Sequence, residues 1–231
     1  MRRWVVLACV VVLLGTAWYA GSQVPRSGPP APPAGSVRLG PDAGEDVAGY
    51  LARIPADLPP SGPTALALVQ FDAGRTAADA VAAAAGAEPI TAVFRVPIPR
   101  VQTAITFEDL EPQVPAAIAV ESARQRAAAG VGPAVASGDR QRAVAAAERA
   151  ALADARCACV IALVVRGNRA ALDTVAARPG VRAVQAAPPG TVPVELALSP
   201  LLPEQTDRAD PPPDDGPVPT SAAGPPEEGS G

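Results

Sequence analysis

The chain predicts an α+β fold, and three observations carry that prediction. A strand–helix–strand pattern occurs over residues 64–96 and again over residues 159–186. Short β-prone runs alternate with alanine-rich helical runs, the pattern of helices packed on a sheet. Aromatic residues make up only 3% of the 231 positions, so the soluble core must be built from Ala, Val, Leu and Ile with Phe71, Phe94 and Phe107. Such a core buries little area per residue and is expected to be modestly stable.

Residues 4–20 are an unbroken apolar run behind Arg2 and Arg3. As a helix rising about 1.5 Å per residue, the run reaches roughly 25 Å, the short end of a bilayer span. Trp4 stands at one end and Trp18 and Tyr19 at the other, as interfacial anchors do, and no basic residue follows until Arg26, which puts the amino terminus inside. Residues 1–20 are therefore expected to be a transmembrane anchor, with a cleaved signal peptide as the alternative. Trp18 occupies the place before the Ala20–Gly21 bond where a cleavage site wants a small residue. Residues 6–9 also fit a lipobox, but only five apolar residues precede Cys9.

Residues 21–62 hold nine prolines among Gly, Ser and Ala and read as a semi-extended linker. A short helical turn is expected at 46–53, because Val47, Tyr50, Leu51 and Ile54 fall at helical spacing. The folded domain is expected over 63–200. Residues 64–71 read as a strand, 75–83 as a helix and 90–96 as a second strand; residues 160–165, 169–177 and 181–186 repeat the series. Thr76 with Asp79 makes a capping-box pattern and Gly86 a stop; Asn168 can cap the second helix, and Pro179-Gly180 ends it. Aligned at a constant offset, Arg75 matches Arg169, Asp79 matches Asp173 and Val81 matches Val175.

Each copy is then a βαβ unit of right-handed sense, and two of them make a four-stranded sheet with helices on one face, a ferredoxin-like sandwich. The connection between copies is longer than that plan needs. Residues 101–107 extend the second strand or add an edge strand, and residues 114–129 and 139–155 read as two helices. They form a helical-hairpin insert at about 108–156, placed in or replacing the second crossover, with Val144, Ala147, Ala151 and Ala155 on one side of the later helix and Arg142, Arg149 and Arg156 on a solvated other side. Residues 201–231 are acidic and proline-rich and are expected to be disordered.

The chain has no histidine, and all 19 basic residues are arginine. Without histidine the usual general base and the commonest transition-metal ligand are both gone. With a net charge of −4 and no basic cluster beyond Arg2 and Arg3, the electrostatic term that drives nucleic-acid binding is missing. No phosphate-cradling loop, metal-ligand spacing or nucleophile elbow occurs. Cys157 and Cys159 invite a disulfide in an oxidising compartment, but an extended chain sets their Cα atoms about 6.6 Å apart, at the edge of what a bridge tolerates. They read first as small buried thiols, with an intermolecular bridge or a redox pair as alternatives. Glu108, Asp109 and Glu111 form the tightest carboxylate group and read as acidic residues at a helix start. No catalytic, cofactor-binding or metal-binding residue is nominated, and no small-molecule ligand is evident.

Residues 172–184, Leu-Asp-Thr-Val-Ala-Ala-Arg-Pro-Gly-Val-Arg-Ala-Val, resemble the closing helix and strand of subtilisin-type propeptides and related protease inhibitors. That resemblance implies the same ferredoxin-like plan, from which the long helical insert departs. Taken whole, anchor, proline linker, small domain and acidic tail resemble single-pass membrane proteins of actinobacteria. The expected role is a non-catalytic module for protein interaction or the cell envelope, tethered by residues 4–20, its amino terminus cytoplasmic and its domain extracytoplasmic, or secreted if the leader is cut. The alternatives are a protease-inhibitor module of propeptide type and a thiol-disulfide enzyme using Cys157 and Cys159.

Overall fold

The strand β2 (Thr64–Arg75) is buried without interruption from Ala65 to Phe71, so both of its faces are covered. The structure is a computed structural model and describes residues 36–132 and 138–219. Its other elements are β1 (Val37–Leu39), α1 (Val47–Arg53), α2 (Ala77–Ala83), β3 (Glu88–Phe94), β4 (Thr106–Asp109), α3 (Ala116–Gly130), α4 (Asp139–Ala153), β5 (Val160–Asn168), α5 (Arg169–Ala176), β6 (Val181–Ala186) and β7 (Leu196–Leu198). The expected anchor at 1–20 and the end of the acidic tail lie outside the described residues. Among the described residues no helix is long and apolar enough to cross a membrane.

Five strands form one antiparallel sheet in the order β4-β3-β5-β2-β6. The two strand–helix–strand units interleave: β5 lies between β2 and β3, and β2 lies between β5 and β6. The helices start where the local chemistry expects. The Thr76 hydroxyl accepts from the Asp79 N–H at 3.2 Å, and the Asn168 side chain accepts from the Ala171 N–H at 3.0 Å. An edge strand does follow β3, but as β4 it takes only Thr106 and Phe107 of the expected residues 101–107 and runs on through Glu108 and Asp109. The hairpin of α3 and α4 sits elsewhere than expected. It joins β4 to β5, between the two units, while the second crossover is α5 alone.

Alternation along β2 divides the core. Ala65, Ala67, Val69 and Phe71 face the helices, where Ala80, Val120, Ala123, Leu152, Leu172 and Val175 cover them. Leu66 and Leu68 point the other way with Val93, Ile161 and Val164 and meet Leu39, Ala187 and Leu202. That second layer corrects two expectations. The stretch read as linker is folded from residue 36 on, and the stretch read as disordered is folded as far as residue 219, with Leu39, Val47, Tyr50, Ile54, Leu201, Leu202 and Ala209 all buried. The prolines stop these segments from forming long regular elements without stopping them from packing. They also pair with each other: β1 runs parallel to β7, the Val47 N–H donates to the Asp207 carbonyl at 2.9 Å, and the Ala209 N–H donates to the Glu45 carbonyl at 2.9 Å.

Two buried glutamines fix where the flanks dock. Gln70 of β2 donates from Nε2 to the Tyr50 hydroxyl at 2.8 Å, and its Oε1 accepts from the Leu201 N–H at 2.6 Å. Tyr50 donates to Gln185 Oε1 at 2.9 Å, and that oxygen also accepts from the Gly40 N–H at 2.7 Å. Tyr50 and Gln70 are fully buried, and burial pushes the phenol up to about 12. Gly40 has φ +116°, and a Cβ there would stand 1.7 Å from the Ser199 carbonyl oxygen, so only glycine fits. Tyr50→Phe leaves the Gln70 amide without its acceptor in a dry site. The expected loss is about 1–3 kcal/mol in denaturant unfolding; unchanged stability would show the network to be incidental.

Candidate functional site

β4 bonds to β3 along one edge and is the outermost strand on its side. Phe107 pairs opposite Val93, which belongs to the flank-side core, and Glu108 opposite Ala92, which belongs to the helix-side core. Phe107 therefore points to the flank side, where it remains 43% exposed. It lines a groove with Pro193, Val194, Leu196 and Leu198. An adjoining groove shares Thr91, Asp109 and Pro193 with the first and continues past Ile90 to Val114. The exposed large apolar side chains among the described residues are Ile105, Phe107, Val114, Ile118, Val192 and Val194. Phe107, Val114 and Val194 line these two grooves, Ile105 and Val192 lie in the segments entering β4 and β7, and Ile118 is in the first turn of α3.

The carboxylate group lies along the same strand. Glu108 and Asp109 are in β4, ahead of a helix that starts only at Ala116, so the helix-start reading is corrected. Their charges are held by Arg126 of α3, which donates to Glu108 Oε2 at 3.2 Å, to Glu111 Oε1 at 2.5 Å and to the Asp109 carbonyl at 2.6 Å. The Asp109 carboxylate accepts from the Thr91 hydroxyl at 2.9 Å. The group braces β4 on α3. Its surroundings remain negative: Glu88, Glu108, Asp109, Glu111 and Glu195 outnumber Arg126 and Arg166, which are engaged with Glu108, Glu111 and Glu88.

Cys157 and Cys159 are joined as a disulfide with Cα atoms 5.2 Å apart. This corrects the reading of free buried thiols on one strand. β5 begins only at Val160, so the pair sits on irregular backbone and extended spacing does not apply. Cys159 is fully buried. Of the arginines expected on a solvated face of α4, Arg142 pairs with Asp139 and Arg156 pairs with Asp154, whereas Arg149 donates to the Val131 carbonyl and closes the end of α3.

Three buried charges escape a reading by composition. Arg95, just past β3, is 5% exposed and pairs with Glu204 at 2.6 Å. Arg124 of α3 is 2% exposed and pairs with Glu121, while its Nη1 has no partner among the described residues. Glu148 of α4 is 6% exposed, and its Oε1 accepts from the Ala104 N–H at 2.5 Å. It sits among the apolar positions Val144 and Ala151 at helical spacing, a signal the sequence did carry. Burial pushes its carboxyl above the usual range, against the Ala104 N–H and the Arg95 charge. Among the described residues no group of three or more His, Cys, Asp or Glu could hold a metal ion. No family model, curated protein or solved structure matches the chain.

Because the native state holds the Glu148 proton more tightly than the unfolded chain does, stability falls as pH rises from the ordinary glutamate range through the raised value. Glu148→Gln keeps an acceptor for the Ala104 N–H and removes the charge. Urea unfolding should show the variant gaining on the parent as pH rises above the ordinary glutamate range, about 4.3; a difference that does not change with pH would refute the burial effect.

Proposed function

We propose that the chain is a membrane-tethered, non-catalytic module with a ferredoxin-like core, and that it holds an extended, basic segment of a partner protein along β4. The supporting observation is the strip of exposed apolar side chains centred on Phe107 on a strand that pairs with one other strand only, its Asp109 carbonyl held by Arg126. An extended segment can add to such an edge through its backbone, with alternate side chains entering the grooves. The carboxylates around the strip favour a segment whose other side chains are Arg or Lys, and they oppose pairing of β4 with a second, equally acidic copy. The ferredoxin-like reading draws on the interleaved strand order, with β4 as an added edge. The tether and the extracytoplasmic side rest on residues 4–20.

A protease-inhibitor role remains the second reading. It draws on residues 172–184, which run through α5 and a turn at Gly180 with φ +81° into the edge strand β6.

A random peptide library selected against the full chain tests the docking strip. The enriched peptides should alternate apolar with basic residues and lose at least about tenfold in affinity on Phe107→Asp, the scale expected for an anchor residue. Enrichment of sequences indifferent to Phe107 would refute β4 as the docking edge.

A further inference from the structure

We propose that a cavity between α4, the end of α3 and the segment entering β4 binds a small organic ammonium ion, an apolar body bearing one protonated amine. The cavity measures about 450 Å3, within the range of small-molecule sites. Its apolar wall is Ala104, Val131, Val144 and Ala145; of its three charged lining groups Arg140 and Asp214 pair with each other, which leaves Glu148 as the unpaired charge among the described residues. This site is separate from the β4 docking strip and stands whether or not that strip binds a peptide.

The argument turns on what Glu148 lacks. Its Oε1 takes the Ala104 N–H, while its Oε2 has no protein donor among the described residues, and the side chain lines the cavity. A carboxylate buried with one hydrogen bond and no paired cation is poorly compensated. The neighbouring guanidiniums are committed elsewhere. Arg95 is paired with Glu204, and Arg140 on the rim donates to Asp214 Oδ1 at 3.0 Å and to the Gly216 carbonyl at 3.0 Å. An ammonium donating to Oε2 brings both the missing hydrogen bond and the missing charge, and a charge-assisted bond in such surroundings is the strong kind. An anion would meet the same carboxylate and be repelled. A neutral alcohol could donate one bond but would leave the charge uncompensated.

The rim explains how such a ligand would be retained. The tail lines the cavity at Asp214, held there by Arg140 and by the Gln102 N–H at 3.1 Å, and the Gly216 N–H donates to the Arg100 carbonyl at 2.7 Å. The proline-rich tail is thus one wall of the site.

Hexylammonium and hexanol serve as probes, titrated calorimetrically at neutral pH against the full chain in lipid nanodiscs, with empty discs subtracted. Hexylammonium should bind at least about tenfold more tightly than hexanol, the scale of one charge-assisted hydrogen bond. Glu148→Gln should erase that preference, bringing hexylammonium to the affinity of hexanol or below, and Val144→Trp, which fills the cavity, should abolish binding of both. Absence of saturable hexylammonium binding, equal affinity for the two probes, or a preference that survives Glu148→Gln would overturn the site. A melting curve for each variant shows that it is folded. Should Glu148→Gln fail to fold, the parent's preference together with its loss in Val144→Trp decides the matter.

Discussion

The structure depends on a single constraint: one face of the central sheet is apolar at Leu66, Leu68, Val93, Ile161 and Val164, yet two glutamines stand on it. Apolar burial supplies the drive to cover that face, and it is indifferent to register. The amides of Gln70 and Gln185 are not indifferent. Each reaches across to a named backbone N–H in the flanks, and both meet the Tyr50 hydroxyl between them. Each bond is worth on the order of 1 kcal/mol net, but a flank docked one residue out of place would strand buried amides at higher cost. The described proline-rich flanks are thereby part of the domain, one at Gly40 and Tyr50, the other at Leu201.

Covering that face with the chain's own ends decides what is left for others. Helices close one side of the sheet and the flanks close the other, so the apolar surface that remains lies at the β4 edge. Arginine, the chain's only basic residue type, does much of the remaining tying. Arg182 donates to the carbonyls of Leu202 and Gln205, Arg178 to the carbonyls at the end of α2, and Arg100 and Arg140 hold Asp215 and Asp214. The exposed pairs among these are individually weak. Arg182 is different, because it is partly buried and bonds to carbonyls that have lost water; burial lowers its pKa.

Much of the sheet and helix layer was legible in the sequence because it is written in local chemistry. Thr76, Asn168 and Gly180 mark the helix limits, and the β-prone runs mark the strands. The flanks were illegible for a physical reason: Leu39, Val47, Tyr50, Ile54 and Leu201 are spaced too sparsely to form a periodic face, and each finds its partner only across the sheet. One trace was present. Residues 65–71 include Leu66 and Leu68 as well as Ala67 and Val69, a run without polar alternation until Gln70, which is how a strand buried on both sides reads. The aligned arginines also promised more likeness than the structure has. Arg169 pairs with Asp173 within α5, while Arg75 pairs with Asp72 and packs over Phe71 ahead of α2. The exposed strip at β4 is only partly foreseeable: composition puts Phe107 in the core, whereas it lies exposed with no described element covering the flank side of β4. Glu148, at a helical spacing shared with Val144 and Ala151, was the legible exception to an apolar stripe.

Amide hydrogen exchange on the full chain addresses the central constraint most directly, read at Gly40 and Leu201, whose N–H groups end on Gln185 and Gln70. If the flanks are integral to the domain, both amides exchange only through global opening, as slowly as Leu68 in the central strand. Exchange of Gly40 and Leu201 at open-chain rates while Leu68 stays protected would contradict the account.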